Sequence, residues 1–463
     1  MRITLNTIGI VCELNPLHNG HKYIIDKAKE KFGADFVLLV MSGDYTQRGT
    51  PSIVSKEIRT KMALMAGADA VFELPVQYAT GSAEYFASGA VSLLNSLGVV
   101  DHILFGTENG DIDEIKNIAS ILNNEPEDYK KALQEGMKKG LNFASARDKA
   151  LKQVISIDNK ETLVGSNNIL GIEYCRALMA SGSKITPLTI KREGADYNEE
   201  EMADNFSSAS AIRKVLEGRV RNNTNGLSSR ESSITSKSEN TLTNSITDKN
   251  ANTCTTTVKD TNTIQKTIDI SANSSISAIR ESLSNNIPED VLEVLLAEKN
   301  YNCLDNFSDY LHYKLLSERD KGFTNYADIH RDLSDKIIKN LPNYTTISEF
   351  IQLLKSKDLT YTRIQRSLLH ILLGITNEKM ELLKENDYPT YIRLLGFRKD
   401  SSPLLAKIKD EATAPVISRM SDSFRIEDTI LKELLEEDVL ASDIYHLIIP
   451  EEKNEYQKPV IIL

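Results

Sequence analysis

The sequence predicts an α/β protein with an open parallel sheet in its N-terminal part and a mainly α-helical C-terminal part. Short, continuously apolar runs alternate with helical stretches over about the first two hundred residues, which is typical of strands covered on both faces by helices. From Pro288 onward, apolar residues recur at helical spacing. The chain has 463 residues, 40% of them hydrophobic and 26% charged, which is enough for two or three domains.

The N-terminal elements follow in a regular order. We expect five strands, at Thr7–Leu14, Phe36–Met41, Ala70–Leu74, His102–Gly106 and Lys184–Ile190. We expect helices at His21–Phe32, Lys56–Ala66, Ser82–Leu97, Asp113–Leu122, Asn168–Ala180 and Ala209–Glu217. Open sheets of this Rossmann-like type bind ligands beyond the carboxyl ends of their strands, so we expect the functional site at that edge.

The C-terminal part is charged and helical in pattern. We expect helices at Asp290–Lys299, Phe307–Glu318, Thr346–Lys355, Arg363–Gly374 and Asp428–Glu436, and extended pieces at Asp443–Ile449 and Pro459–Leu463. Between the two parts, Ser, Thr and Asn dominate and aromatic residues are missing, a composition that does not build a packed core. We therefore predict a sheet domain over 1–220, a disordered insertion over 221–274 and a helical domain over 275–463.

A short repeat flanks the insertion. Ser207–Gly218 reads SSASAIRKVLEG, and Ser274–Asn285 reads SSISAIRESLSN. The similarity of these two helix starts could be due to chance, but we favour a local duplication. Which copy belongs to the functional site stays open at this point.

The net charge and the cysteine content argue against several classes of protein. The net charge of −11 argues against a protein that coats nucleic acid, so an RNA partner would need a local basic patch. Cys12, Cys175, Cys254 and Cys303 are scattered, which disfavours a zinc site or a disulfide framework and fits a reducing compartment. The sequence has no signal peptide and no run of roughly 18 apolar residues, so we expect a cytoplasmic protein without a membrane partner.

The strongest chemical signal is His18-Asn19-Gly20-His21, which opens the first predicted helix directly after the first strand. A helix N-terminus presents unpaired N–H groups and about half a positive charge, so it suits a phosphate. Gly20 allows a nucleotide to approach the backbone. His18 and His21 can hydrogen-bond phosphate oxygens during attack at the α-phosphate.

Two histidines three positions apart do not by themselves indicate catalysis. Such pairs occur on ordinary helix surfaces and in cores, and they can hold a metal ion. A metal site would need a third ligand, such as His102, which the sequence does not clearly supply. Because the pair follows the first strand of a parallel sheet, we favour catalysis at a nucleotide phosphate.

Six blocks of sequence together resemble one known protein family. They read GIVCELNPLHNGHKYII, MSGDYTQRGTPSIVSKEIRTKMAL, ADAVFELP, FGTENGDI, NNILGIEY and YIRLLGF. In this order they resemble the bacterial tRNA(Met) cytidine acetate ligase family, within the HxGH nucleotidylyltransferase superfamily. The resemblance covers nearly the whole chain except the insertion. It implies a nucleotidylyltransferase-like domain joined to a helical domain that helps to hold tRNA.

The resemblance also implies a reaction and its partners. Acetate and ATP would form acetyl-AMP and pyrophosphate, and the exocyclic amine of the wobble cytidine in elongator tRNA(Met) would then take the acetyl group. Acetate itself attacks, so no protein nucleophile is needed, and we expect Cys12 to be buried. ATP is the expected cofactor. Mg²⁺ is a further candidate, although the sequence has no visible dedicated ligands for it.

The resemblance assigns ATP contacts residue by residue. The implied ATP loop consists of Val11, Cys12, Glu13, Leu14, Asn15, Pro16, Leu17, His18, Asn19, Gly20, His21, Lys22, Tyr23 and Ile24. Further implied contacts are Gly106, Asn167, Arg192, Ser208 and Arg213. Gly106 could instead be a turn glycine, Asn167 a helix N-cap and Arg192 a solvated charge. Ser210 would accompany Ser208 and Arg213, and Ser275, Ser277 and Arg280 of the second copy are the alternatives.

Two further groups of residues are candidates for contacts. For RNA, Arg363 and Arg366 lie three apart on one face of a predicted helix. Arg393, Arg398 and Lys399 add charge beside Tyr391 and Phe397, whose rings could stack on bases. The alternative is an ordinary amphipathic helix surface. After the second strand, polar residues could order acetate, pyrophosphate or RNA, or simply be solvated; they are Asp44, Gln47, Arg48, Lys56 and Arg59.

Two competing functions remain open. A small-molecule adenylyltransferase of cofactor synthesis could use the same HxGH segment, although a helical part of this length would have no evident purpose there. A non-catalytic, nucleotide-gated RNA-binding protein could have kept the fold without the reaction. The intact His18-Asn19-Gly20-His21 segment argues against the second alternative.

Overall fold

The parallel core of the sheet forms where the apolar runs predict it. The computed structural model describes residues 5–108, 110–139, 143–154, 165–191, 207–217, 276–298, 300–356 and 359–463. Its strands are β1 (Thr7–Cys12), β2 (Phe36–Ser42), β3 (Ala70–Leu74), β4 (His102–Thr107), β5 (Thr186–Lys191), β6 (Ile392–Phe397), β7 (Val416–Ile417) and β8 (Ile461–Ile462). Their order is β5-β4-β1-β2-β3-β6-β7, and β8 pairs with β6. The first five strands are parallel, whereas β6 runs antiparallel to β3.

Helices cover both faces of the sheet. They are α1 (Asn19–Glu30), α2 (Lys56–Met65), α3 (Val76–Ala79), α4 (Ala83–Ser96), α5 (Ile112–Asn124), α6 (Glu127–Lys138), α7 (Phe143–Val154), α8 (Ser166–Ala180) and α9 (209–217). The later helices are α10 (Ile276–Leu283), α11 (Glu289–Ala297), α12 (Ser308–Glu318), α13 (Arg331–Asn340), α14 (Ile347–Leu354), α15 (Tyr361–Leu373), α16 (Asn377–Glu385), α17 (Ser402–Glu411) and α18 (Thr429–His446). None of the described helices is long and apolar enough to cross a bilayer.

Side chains of the buried strands alternate between two cores, as a period of two requires. Leu38 and Val40 of β2 pack into the core that contains α4, α5, α8 and most C-terminal helices. Val37 and Leu39 point to the opposite face and pack with α1, α2, α9, α10 and α11. The α/β fold with a largely helical C-terminal region is therefore confirmed.

The C-terminal segment differs from its prediction in two ways. The expected helical domain, 275–463, also supplies β6, β7 and β8 to the sheet, so the boundary near residue 275 does not separate the sheet from the rest. The expected extended piece at Asp443–Ile449 is wrong, because α18 continues to His446 and a turn and a bend follow over 447–449. Pro459–Leu463 does contain a short strand, β8. The whole of the predicted insertion, 221–274, lies outside the described residues.

A buried cluster of charges joins the two parts of the chain. The ammonium group of Lys56 lies 2.9 Å from Glu73 Oε1 and 2.9 Å from Glu455 Oε1. The guanidinium group of Arg393 lies 2.8 Å from Glu73 Oε2 and also pairs with Glu455. Lys56 and Glu73 come from the N-terminal part, and Arg393 and Glu455 come from the C-terminal part. The buried charges therefore neutralise one another only when both parts of the chain are folded together.

Candidate active site

A cavity of about 220 Å³ opens at the carboxyl ends of β1 and β4, the edge where open parallel sheets bind ligands. The end of β1 and the loop after it form one wall, and Gly106 at the end of β4 forms another. The loop after β2, the start of α9 and residues of α1, α4, α8 and β5 also line it.

Two histidines organise the start of α1. His18 is the N-cap residue, and its Nδ1 accepts the Gly20 N–H at 3.1 Å. His21 Nδ1 accepts the His18 N–H at 3.3 Å, and the two ring centroids lie 4.0 Å apart. Because each Nδ1 accepts a backbone proton, the neutral rings carry their proton on Nε2. Nε2–H is therefore the group on each ring that can donate to a phosphate oxygen.

The loop that presents these histidines is held by hydrogen bonds from distant segments. Asn15 Oδ1 accepts the Ile53 N–H at 2.8 Å, and the Asn15 carbonyl accepts Arg213 Nη1 at 2.6 Å. Glu13 Oε1 accepts the Gln47 N–H at 2.7 Å. These contacts tie the loop after β1 to the loop after β2 and to α9, so three separate elements fix the position of the HNGH segment.

Arg59 is a buried part of this support rather than a ligand contact. Its side chain is fully buried, and it donates to the carbonyls of Glu13 at 2.8 Å and Ser42 at 2.9 Å. It also donates to the carbonyls of Gly43 and Val54. A guanidinium fork can satisfy several carbonyls in fixed directions, so Arg59 holds the ends of β1 and β2 together beneath the cavity.

The first copy of the repeat lies at the cavity. Ser207, Ser208, Ser210 and Arg213 all line it, at the start of α9. The second copy starts α10, where Arg280 forms an ion pair with Glu293, and no described residue of that helix is among the cavity-lining residues. The N-termini of α1 and α9 both meet the cavity, and helix N-termini favour anions.

Asn167 and Gly106 both line the cavity. Gly165, and not Asn167, is the N-cap of α8. Asn167 is the second residue of that helix, and its side-chain amide donates to Glu108 Oε1 at 3.2 Å. The N-cap alternative for Asn167 is therefore wrong, because Glu108 accepts from the α8 N-terminus through the N–H groups of Asn167 and Asn168.

Some residues of the predicted ATP loop line the cavity, and others do not. The members that line the cavity are Val11, Cys12, Glu13, Leu14, Asn15, His18, Gly20, His21, Tyr23 and Ile24. Pro16, Leu17, Asn19 and Lys22 do not line it, and Leu17 is fully buried in the core. Arg192 lies outside the described residues. Burial raises the pKa of the Cys12 thiol to about 12, which keeps it protonated and unsuited to nucleophilic attack.

Several lining residues escaped sequence reasoning. Phe86, Phe105, Leu170 and Tyr174 line the cavity, but on a helix or strand such residues have the pattern of ordinary core positions. Of the polar cluster after β2, Gln47 and Arg48 line the cavity. Asp44, Lys56 and Arg59 are instead buried within the protein, so they are not ligand contacts.

The predicted RNA contacts do not form one surface. Arg393 is wrong as an RNA contact, because it is buried in β6 and paired with Glu73 and Glu455. Arg398 and Lys399 follow Phe397, which is opposite Ala70 at the start of β3. They therefore lie at the amino edge of the parallel strands, roughly 17 Å along a strand from the cavity edge.

Arg363 and Arg366 lie on α15, close to the cavity. A Cβ added at Gly49 would lie 2.5 Å from Arg366 Cα, so the backbone of α15 packs directly against the loop 46–50. Arg366 Nε lies 2.5 Å from Asp328 Oδ2. Arg363 is partly exposed and one turn nearer the start of the helix, which makes it the better placed of the two for a phosphate.

The charges around the cavity suit a polyphosphate. Two helix N-termini, two histidines and Arg48 meet there, and Glu13 is the only carboxylate among the described lining residues. Preorganised donors of this kind stabilise negative charge that develops at phosphorus. The site can therefore bind a nucleoside triphosphate and stabilise the negative charge that develops during nucleophilic attack at phosphorus.

Comparisons with known proteins agree with this geometry. The model of the family described as HIGH Nucleotidyl Transferase matches residues 5–267 and 243–459. A tRNA(Met) cytidine acetate ligase of Acetivibrio thermocellus is 39% identical over 448 residues, covering 95% of this chain and 94% of that protein. One of Clostridium perfringens is 36% identical over 458 residues, covering 97% of each.

Two solved structures match along nearly the whole chain. Thermotoga maritima TmcAL in its apo form has a TM-score of 0.81 and 29% identity, with 99% of this chain and 100% of that chain covered. The same protein bound with alpha-thio ATP has a TM-score of 0.79 and 28% identity, with the same coverage. The chain belongs to the tRNA(Met) cytidine acetate ligase family of HIGH nucleotidyl transferases.

Proposed function

We propose that this protein is an ATP-dependent enzyme that acetylates the wobble cytidine of elongator tRNA(Met). An acetate oxygen attacks the α-phosphorus of ATP and forms a new O–P bond. The bond between the α-phosphorus and the α,β-bridging oxygen breaks, and pyrophosphate leaves with that oxygen and the electron pair. The exocyclic N4 of the cytidine then attacks the acetyl carbon, loses a proton and displaces AMP. The names of the relatives and the ATP analogue bound by the Thermotoga maritima protein support the proposal.

One observation carries the proposal: His18 and His21 stand at the start of α1, beside the start of α9, around a single cavity. Their Nε2–H groups would donate to the α-phosphate as negative charge builds up on its oxygens. The first copy of the repeat, with Ser208 and Arg213, would hold the phosphates at the second helix start. Gly106 and Asn167 would contact the nucleoside.

Mg²⁺ is proposed only as an ion carried by ATP. Glu13 is the single carboxylate among the described lining residues, whereas protein sites for Mg²⁺ usually add carboxylates to the oxygens of the nucleotide. The group Glu57, His446 and Glu451 has suitable ligand atoms. However, Lys458 Nζ lies 2.9 Å from Glu57 Oε1 and 2.9 Å from Glu451 Oε2, so an ammonium group already supplies the positive charge there.

For the tRNA, we propose the face that α15 and the loop 46–50 form beside the cavity. Arg363 and Arg48 are partly exposed there, and basic side chains near the reacting base would bind its flanking phosphates. We also propose that the protein acts in the cytoplasm, where its tRNA substrate would be found. The free thiols of Cys12, Cys175 and Cys303 fit a reducing compartment.

Mass analysis of elongator tRNA(Met) tests the proposal. The tRNA is incubated with the protein, ATP and isotope-labelled acetate, and its nucleosides are then analysed. We expect labelled N4-acetylcytidine at the wobble position. Labelled acetyl-AMP without labelled tRNA would contradict the proposed acceptor. The absence of both products, with activity on a nucleotide-cofactor precursor instead, would favour a small-molecule adenylyltransferase.

A further inference from the structure

The second copy of the repeat ends at Asn285, and Asn285 and the next residue, Asn286, contact the helix starts that face the cavity. Asn285 and Asn286 follow α10 and precede α11. Asn285 is exposed, whereas Asn286 is 2% exposed. A buried asparagine must have its polar atoms satisfied by the protein, and the partners of Asn286 lie at both helix starts that face the cavity.

The first of these helix starts is that of α1. The Asn286 carbonyl accepts the N–H of Asn19 at 2.8 Å. The Asn285 carbonyl accepts the side-chain amide of Asn19 at 2.8 Å. Asn19 is the first residue of α1 and lies between His18 and Gly20. The two carbonyls therefore hold the segment that carries both histidines.

The second helix start is that of α9. The side-chain oxygen of Asn286, Oδ1, accepts the N–H of Ser207 at 2.7 Å. Ser207 and the next residue, Ser208, both line the cavity. One buried residue thus bonds to Asn19 through its backbone and to Ser207 through its side chain. It sets how far apart the two anion-binding helix starts can lie.

The packing of the two repeat copies explains how the second one reaches this place. Ile212 and Leu216 of α9 are buried in the same core as their counterparts 67 positions later, Ile279 and Leu283 of α10. The polar faces differ. Arg213 donates to the Asn15 carbonyl, whereas its counterpart Arg280 pairs with Glu293. The second copy therefore shares the apolar core of the first, but its arginine pairs with Glu293 instead of the Asn15 carbonyl.

We propose that Asn286 is a positioning residue that fixes the starts of α1 and α9 relative to each other and so sets the affinity for the phosphates of ATP. The inference rests on the proposed function for the identity of the nucleotide. It assigns a role to the second repeat copy, which delivers Asn286 to the site. Asn286 does not itself line the cavity, so it acts through Asn19 and Ser207.

Asn286→Ala tests this role, because it removes the Oδ1 acceptor and leaves the Ser207 N–H without that partner. We expect the KM for ATP to rise about tenfold, as loss of one buried hydrogen bond predicts, with a smaller change in kcat for acetate-dependent pyrophosphate release. The rise in Tm that ATP produces should shrink as well. Asn285→Ala is the matched control, because its exposed side chain is removed while its carbonyl still accepts from Asn19.

The outcomes separate positioning from simple support of the fold. A lower Tm without ATP, with an unchanged KM for ATP and an unchanged ATP-induced shift, would overturn the inference. An equal rise of KM in Asn285→Ala would also overturn it. Should Asn286→Ala fold poorly, Asn286→Leu removes the same Oδ1 acceptor of the Ser207 N–H and keeps a side chain of similar size; an unchanged KM for ATP in that variant would overturn the inference too.

The ATP-induced Tm shift also distinguishes this inference from the proposed function. Measuring this shift requires neither acetate nor tRNA. If the wild-type protein released no pyrophosphate with acetate but Asn286→Ala still lost the ATP-induced shift, the acetate reaction would be contradicted while the positioning role would be supported.

Discussion

At the scale of single residues, the histidines of α1 have two roles that can be separated. His21 caps the helix through its Nδ1, and its Nε2–H is proposed to stabilise charge on the α-phosphate. His21→Ala removes both roles. We expect its rate of acetyl-AMP formation to fall by roughly 10²–10³, the usual effect of losing one donor to a developing oxyanion. Quenched-flow measurement of labelled acetyl-AMP checks the rate.

His21→Gln is the control for the helix cap. Glutamine at the third helical position can accept the N-cap N–H, as in an ordinary capping box, but it lacks the imidazole. We expect His21→Gln to recover thermal stability and to stay as slow as His21→Ala. Recovery of the rate along with the stability would show that the histidine serves the fold and not the reaction.

Residue-level sequence reasoning found the chemical groups but not all of their surroundings. His18 and His21 could be found because they open a helix directly after the first strand, whereas Ser208 and Arg213 were indicated by the resemblance to the family. Phe86 and Tyr174 could not be found, since an apolar residue at helical spacing is expected in the core whether or not it also faces a cavity. Asn286 carried no signal, because its partners are distant in sequence.

At the scale of elements, the orientation of β6 separates the predicted RNA contacts. Arg363 lies in the first turn of α15, the helix that packs against the loop 46–50, and Arg398 lies at the opposite edge of the sheet. We expect Arg363→Ala to weaken tRNA binding and to reduce the slope of log affinity against log salt concentration by roughly one, as loss of one phosphate contact predicts. Filter binding over a series of salt concentrations measures the slope.

Arg398→Ala is the matched control for that prediction. It removes an equal charge, and its partner Asp400 is an exposed neighbour in sequence. We expect its tRNA affinity and salt slope to match the wild type. A lower slope in Arg398→Ala with no change in Arg363→Ala would place the tRNA on the other edge of the sheet.

At the scale of the whole molecule, the buried charge cluster connects the N-terminal and C-terminal parts. Glu455 is shared by Lys56 and Arg393. Glu455→Gln leaves those two cations with less compensation, so we expect the free energy of unfolding to fall by about 3–5 kcal/mol. Urea unfolding at neutral pH measures the change. A loss below about 1 kcal/mol, the value of an exposed ion pair, would contradict the coupling.

Asp438 is the contrasting carboxyl group in the same region. Burial raises its pKa well above the ordinary value, so its surroundings favour the protonated form, whereas those of Glu455 lower the pKa and favour the charged form. It accepts the Val76 N–H at 2.6 Å and bonds with the hydroxyl of Tyr391. An amide has nearly the same shape as a protonated carboxyl group. We expect Asp438→Asn to change the free energy of unfolding by less than about 1 kcal/mol, and a loss as large as that of Glu455→Gln would contradict its neutral state.

The same cluster predicts how stability depends on pH. Burial alone would raise the pKa of Glu455 and of Asp44, but Lys56 and the neighbouring cations hold both below their ordinary values. Lowered pKa values in the folded state give stability that is complete above the unfolded pKa and is lost as pH falls. We expect the free energy of unfolding to decrease below about pH 5. Urea unfolding across this range should show a smaller decrease in Glu455→Gln.

The amino-acid sequence by itself determined the local elements and the chemical segment. Apolar runs that alternate with helical stretches predict β1 to β5, and the position of His18 to His21 after β1 places these histidines at the edge where we propose that the phosphates bind. These features depend on residues a few positions apart, so periodicity and helix capping reveal them. The repeat motif similarly revealed two helix starts.

Only the tertiary structure decided which distant groups meet. It placed β6 beside β3, buried Arg393 between Glu73 and Glu455, and put the first repeat copy at the cavity with Asn286 behind it. The physical reason is that a charged or polar side chain looks the same in sequence whether water or a partner dozens or hundreds of residues away satisfies it. Its role is set by burial and by the partner, and both exist only once the chain has folded.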